Sequence, residues 1–238
     1  MRAEDLGRRL QEMLGPGAGV GWSEVGDPEG LFPAEAEAMA RAVPARRAEF
    51  AAGRRAARAA LATLGVPEAE IPVGPHRVPV WPEDISGAIT HDRGVALAAV
   101  MPSGEGAIGI DLTEAAPLPD DTRSTILPQP EEAGLIGLEA RMAFSAKESL
   151  FKALFPGLET FFGFEAAVFL PRPDGRFTLR LAARLGPFEA GRVWQGARAV
   201  LGDDLLTAVP APDGSTRAAR RRLSAVALAG PSGLGGED

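Results

Sequence analysis

"FSAKESLFKALFP", residues 144–156, holds Lys147 and Lys152, the only lysines among the 25 basic residues of this 238-residue chain. Leu135, Leu138, Met142, Leu150 and Leu154 recur at helical spacing through and ahead of it. That spacing predicts a long amphipathic helix, stopped by Pro156 and Gly157. Glu148 and Lys152 lie four residues apart and share a face, with the acid on the favourable N-terminal side. An exposed pair of this kind contributes only about 0.3–0.5 kcal/mol. The alternative is chemical: where arginine supplies every other positive charge, lysine offers a compact ammonium that can release a proton, which a guanidinium cannot. Ser145 and Glu148 also fit a capping box, but a helix beginning near Leu135 puts Ser145 in its interior.

Upstream, "IGIDLTE" (108–114) reads as an apolar strand delivering Asp111 at its end. A carboxylate there is ordinary turn chemistry, or a Mg²⁺ ligand if a second acid such as Glu148 converges on it. "GAIT", "VALAAVM" and "AIGIDLT" are short strands joined by the turns "HDRG" and "PSGEG", and Thr90 and His91 close the first of them. "PVGPHRVPVWP", with His76 and Arg77, is too rich in proline for regular structure. Helices are expected over 33–43 and 45–64. From Arg41 to Arg58 six arginines (41, 46, 47, 54, 55, 58) stand against the single acid Glu49. Arg47, Arg54 and Arg58 fall in one arc, away from Phe50 and Leu61. That patch is either a solvated helix face or a surface for a small polyanion or an acidic partner.

Downstream, 117–134 reads as a Pro-rich connection with one helical turn. "AAVFL", "GRFTLRLAA", "RVWQGARAV" and "LLTAV" follow the helix as strands, with a hairpin turn at Asp174 and Gly175. Helices followed by strands therefore occur twice, an α+β pattern with two similar lobes.

Composition narrows the function. With 45% hydrophobic and 24% charged residues the chain is globular. No apolar run reaches the roughly 20 residues that span a bilayer. A net charge of -7 argues against general nucleic-acid binding. The absence of cysteine rules out thiolate metal sites and disulfides and fits a reducing cytoplasm. Two histidines are too few to argue for zinc. No G-x-S-x-G elbow and no standard nucleotide loop occurs, so a hydrolase built around His91 ranks low.

Taken in order, "RRAEFAAGRRAARAAL", "HRVPVWPEDISGAITH", "IGIDLTE" and "FSAKESLFKALFP" resemble the 4′-phosphopantetheinyl transferases. The resemblance runs over residues 33–210 and is strongest to the monomeric two-lobed branch that includes the enterobactin synthetase component D proteins. It implies two similar α/β lobes related by a pseudo-twofold, with the active site between them. Residues 1–112 would form the N-terminal lobe, 113–210 the C-terminal lobe, and 211–238 a mobile basic and Gly-rich tail.

The resemblance also implies an activity: Mg²⁺-dependent transfer of the phosphopantetheine arm of coenzyme A to a serine of an apo carrier protein, releasing adenosine 3′,5′-bisphosphate. Asp111 and Glu148 would hold the metal. Arg46, Arg54, His76, Arg77, Thr90 and His91 would contact the nucleotide and its phosphates. Glu148 would act as base, Lys152 would neutralise or protonate the leaving bisphosphate, and Lys147 would hold phosphate oxygens. A monomeric cytoplasmic enzyme of siderophore or other nonribosomal-peptide synthesis is expected, with no nucleic-acid partner and no membrane insertion. The family's usual second metal acid lies two residues after the aspartate. That position is Thr113 here, and Glu114 points to the other face of a strand. The competing expectation is a catalytically silent coenzyme A-binding protein.

Overall fold

Two antiparallel sheets, each backed by one long helix, account for residues 2–211, which the computed structural model describes. The tail expected to be mobile lies, from residue 212 on, outside the described residues. The elements run α1 (Arg2–Leu14), β1 (Gly19–Glu24), α2 (Pro33–Ala38), α3 (Pro44–Thr63), β2 (Ile85–Asp92), β3 (Val95–Pro102), β4 (Ala107–Glu114), α4 (Asp120–Ile126), α5 (Gly137–Leu158), β5 (Ala167–Pro171), β6 (Arg176–Leu181), β7 (Val193–Leu201) and β8 (Asp204–Ala211). The first sheet has the order β1-β3-β2 and the second β4-β8-β7-β6-β5. No helix among the described residues is long and apolar enough to cross a membrane.

Glycine on a strand lets each helix close on its sheet. A Cβ at Gly109 of β4 would sit 1.8 Å from the Ser149 carbonyl oxygen and 2.7 Å from the Ala153 nitrogen of α5. Any larger residue would hold the helix off. Gly21 does the same for α3, where a Cβ would lie 2.1 Å from the Ala56 oxygen. These contacts fix which turn of each helix faces which strand residue. α1 then seals the junction of the sheets: Leu6 and Leu10 pack in one cluster with Val20 and Leu97 of the first and Ile108, Ile110 and Leu206 of the second. Arg2 fastens it to the second sheet by a two-pronged bond to Asp204, Nε at 2.6 Å and Nη2 at 2.5 Å.

Each lobe also buries one carboxylate with one cation. Glu35 accepts Arg58 Nη1 at 3.0 Å and the Ile71 and Phe32 amides at 2.9 and 3.0 Å. Glu132 accepts Lys147 Nζ at 2.8 Å and the Phe169 amide at 2.7 Å. Both carboxylates are fully buried, and in each lobe the cation comes from the long helix.

Several expectations are revised. β1 was not anticipated, because "GVGWSE" alternates glycine with larger residues and carries little strand signal; its glycines are there for α3. The helix expected over 33–43 stops at Ala38. The boundary expected at 112 falls inside β4, all of which belongs to the second sheet. α5 runs through Pro156, which in the last turn removes a single backbone bond, and ends at Glu159 in the left-handed region (φ 50).

Candidate active site

β2 and β4 meet edge to edge although they belong to different sheets, and a side chain bridges the seam. Thr90 Oγ1 accepts the Leu112 amide at 3.1 Å. Beside this bridge the Asp111 carboxylate is buried, and each of its oxygens has a partner from α5. Oδ2 accepts the Ser145 hydroxyl at 2.8 Å, and Oδ1 accepts Lys152 Nζ at 2.7 Å. Lys152 also reaches Thr90 Oγ1 at 3.3 Å. Ser145 and Lys152, seven residues apart, face the same way because two turns of helix separate them.

Glu148 completes the cluster differently. Its carboxylate is half-buried and receives no hydrogen bond or ion pair among the described residues. Burial above all, and then the neighbouring Asp111 charge, holds its proton affinity above the ordinary carboxylate range, against the pull of Lys152. Two hard carboxylates that disfavour each other's charge, one of them without a donor, are the donor set a small divalent cation suits. No group of three or more potential metal ligands occurs among the described residues. Thr113 is half-buried, while Glu114 is exposed and turned toward Arg93 at 3.9 Å, so neither adds a carboxylate to the pair.

His91 and Arg46 border the cluster. Arg46 Nη1 lies 2.9 Å from His91 Nε2; since a guanidinium only donates, Nε2 accepts and the ring proton sits on Nδ1. Burial pushes the imidazole below its ordinary pKa, with Arg46 and Lys152 acting in the same direction and Glu49 opposing them. Arg54 is pinned through Nε to the Ile71 carbonyl at 2.7 Å with its guanidinium 4.1 Å over the Phe50 ring. Its Nη atoms find no acceptor among the described residues. Burial, with Arg58 and Arg46 adding to it, pushes it down to about 10, still a cation at neutral pH.

From Lys152 a cleft of about 500 Å³ opens between the lobes, with His76, Arg77 and Ile89 on one wall and Phe151 and Phe155 on the other. His76 and Arg77 both take left-handed backbone (φ 54 and 66), held by a loop closed through the Gly74 amide to Val78 and the Val80 amide to Pro72. Left-handed non-glycine residues persist only where the surroundings impose them, and functional sites are enriched in them. The His76 ring stands edge-on to Phe155, 5.7 Å between centroids, across the cleft. On the other side of Glu148 a smaller pocket of about 220 Å³ is lined by Phe151, Phe161, Phe162 and Phe164.

The structure thus gathers Asp111, Glu148, Lys152, Thr90 and His91 at the seam, with Arg46 joined through His91 and with His76 and Arg77 along the cleft. Lys147 is not among them. Five residues turn an α-helix by about 140°, which points it away from Lys152. All three of its donors are used inside the second lobe, by the Ile126 carbonyl (2.8 Å), Glu132 (2.8 Å) and the Phe164 carbonyl (3.0 Å). Most of the arginine patch is internal too. Arg58 pairs with Glu35, Arg47 bonds the Met39 and Ala40 carbonyls, and Arg55 bonds the Asp27 and Glu29 carbonyls. Sequence reasoning passed over Ser149 and Thr207 and saw Ser145 only as a cap. The signal was present as two serines one turn apart on an otherwise apolar helix face.

Comparison with known proteins agrees with this geometry. Residues 34–101 match the 4′-phosphopantetheinyl transferase N-terminal domain, and residues 107–209 match the 4′-phosphopantetheinyl transferase superfamily. The chain is 41% identical over 202 residues to 4′-phosphopantetheinyl transferase Svp of Streptomyces mobaraensis, covering 78% of this chain and 81% of that protein. It is 36% identical over 169 residues to PptT of Mycobacterium tuberculosis, covering 65% and 74%. Enterobactin synthase component D of Salmonella typhi is 32% identical over 181 residues, covering 70% and 72%. With the matched segments spanning both lobes and the seam between them, the chain belongs to the 4′-phosphopantetheinyl transferase superfamily.

Proposed function

We propose that this chain transfers the 4′-phosphopantetheine arm of coenzyme A to a serine hydroxyl of an apo carrier protein and releases adenosine 3′,5′-bisphosphate. The observation that carries the reading is the convergence of Asp111, Glu148 and Lys152 at the head of an interlobe cleft lined by His76 and Arg77. Transfer forms a bond from the serine oxygen to the β-phosphorus of coenzyme A and breaks the bond to the bisphosphate. The hydroxyl proton needs a base, and the leaving phosphate needs its charge met.

Glu148 has the chemistry of the base, since its raised proton affinity and lack of donors leave it free to accept. Lys152 has the chemistry of the counter-charge. In the resting site its ammonium is matched to Asp111, close to the cleft. Asp111 and Glu148 would hold Mg²⁺, which when bound neutralises diphosphate charge. The cationic cleft suits the phosphates, and the phenylalanine pocket beside Glu148 suits the uncharged arm. One chain supplies both walls of the cleft, which supports a monomer as the working unit. The names of the component D relatives favour a carrier of siderophore or related secondary metabolism.

The test is to incubate the protein with coenzyme A, Mg²⁺ and apo carrier domains and to weigh the carriers by mass spectrometry. Coenzyme A binding with no carrier gaining the arm would favour a silent coenzyme A-binding protein. Lys152→Arg separates charge from proton donation: it should keep coenzyme A binding by calorimetry and lose most turnover, whereas full turnover would remove the donor role.

A further inference from the structure

Behind Asp111 runs a chain of fully buried hydroxyls that none of the roles above uses. Ser149 Oγ lies 2.8 Å from Thr207 Oγ1, Thr207 Oγ1 lies 2.9 Å from Ser145 Oγ, and Ser145 Oγ lies 2.8 Å from Asp111 Oδ2. Ser145 and Ser149 sit one turn apart on α5, and Thr207 is the residue of β8 directly paired with Asp111 in the β4–β8 register. The close approach at Gly109 brings this face of α5 down onto the two strands.

Proton positions in the chain follow from its end. A carboxylate paired with an ammonium only accepts, so Ser145 spends its single proton on Asp111. Thr207 must then donate to Ser145, and Ser149 to Thr207 Oγ1 at 2.8 Å, with the Thr207 carbonyl, at 3.3 Å, the more distant alternative acceptor for that same proton. All the dipoles point toward Asp111. Hydrogen bonds aligned in this way reinforce one another in a low-dielectric interior.

We infer that Ser145 and Thr207 are positioning residues, which lock the Asp111 carboxylate through Oδ2 so that Oδ1 alone is presented to the cleft. The inference rests on the proposed metal role of Asp111. It also bears on Thr113: a set with two protein carboxylates depends more heavily on holding each of them still. Groups that orient a metal ligand from behind change metal affinity or activity about 10–100-fold when removed.

The experiment measures Mn²⁺ binding by the loss of the free-ion electron paramagnetic resonance signal in the presence of coenzyme A, together with thermal melting. Ser145→Ala should weaken Mn²⁺ binding about tenfold. Thr207→Val, which removes a hydroxyl that never touches Asp111, should weaken it in the same direction, and Thr207→Ser should restore it. In transfer assays the Mg²⁺ concentration for half-maximal rate should move with Mn²⁺ affinity, while KM for coenzyme A at saturating Mg²⁺ stays put. A folded Thr207→Val protein with parental Mn²⁺ binding would overturn the inference, as would a parent that binds no Mn²⁺. If Ser145→Ala does not fold, the two Thr207 variants decide. A parent that binds Mn²⁺ yet modifies no carrier would overturn the proposed function while leaving the positioning inference to the Mn²⁺ titration.

Discussion

Glu148 is a residue whose place in the site works against the stability of the fold. Ionised, half-buried and without a donor, it favours the native state only when protonated. A carboxyl with a raised folded pKa contributes stability that is present below the unfolded pKa and is lost as pH rises through the folded value. Glu148→Gln should therefore abolish transfer and raise stability at pH 7.5 by about 1 kcal/mol, or about 2–4 °C in Tm. The gain should shrink as the pH falls toward the ordinary carboxylate range. Melting curves at two pH values check this, and a lower Tm at pH 7.5 would contradict it. Lys147 is the reverse case. Lys147→Met leaves Glu132 buried without its cation, a loss of about 3–5 kcal/mol, which urea unfolding would read. Undiminished stability with weakened coenzyme A binding would return Lys147 to the phosphates. The sequence distinguished the two lysines from the arginines but not from each other. Their difference lies in what faces each side of α5, and Glu132 lies fifteen residues upstream in a Pro-rich connection with no helical or strand periodicity to place it.

Among the elements, α5 and β4 make the decisive contact. Gly109→Ala should destabilise by about 1–3 kcal/mol through overpacking and should reduce transfer, because lifting α5 separates Ser145 and Lys152 from Asp111. Gly104→Ala, in an open turn with nothing within 4 Å of the added carbon, should stay within about 0.5 kcal/mol. Denaturant curves of the two variants test the contact, and equal effects would contradict it. The elements that were legible carry their own periodicity: α3, α5 and the apolar strands β3, β4 and β8. β1 was not legible because its small residues are set by the helix lying on it, and that constraint comes from elsewhere in the chain. The end of α5 was misjudged for a related reason, since proline ends a helix only where the lost bond matters.

At the scale of the molecule, both lobes use the same construction with different residues. A glycine on a strand admits the long helix, and a cation from that helix neutralises a buried carboxylate that also accepts backbone amides: Gly21, Arg58 and Glu35 in one lobe, Gly109, Lys147 and Glu132 in the other. No repeat is visible in the sequence because these few positions are shared and the rest are not. The site lies where the two constructions abut, so its residues come from β2, β4 and α5. Only their order along the chain, and not any single motif, made the site readable beforehand.

The reaction proposed for this seam is the transfer of the arm of coenzyme A onto a carrier. Its most direct test is the intact mass of an apo carrier domain after incubation with coenzyme A, Mg²⁺ and the parent protein, with Glu148→Gln run in parallel. The parent should convert the carrier to the mass of its phosphopantetheinyl form, and the variant should leave it unchanged. A carrier unmodified by the parent, or modified equally by both, would contradict the proposed transfer.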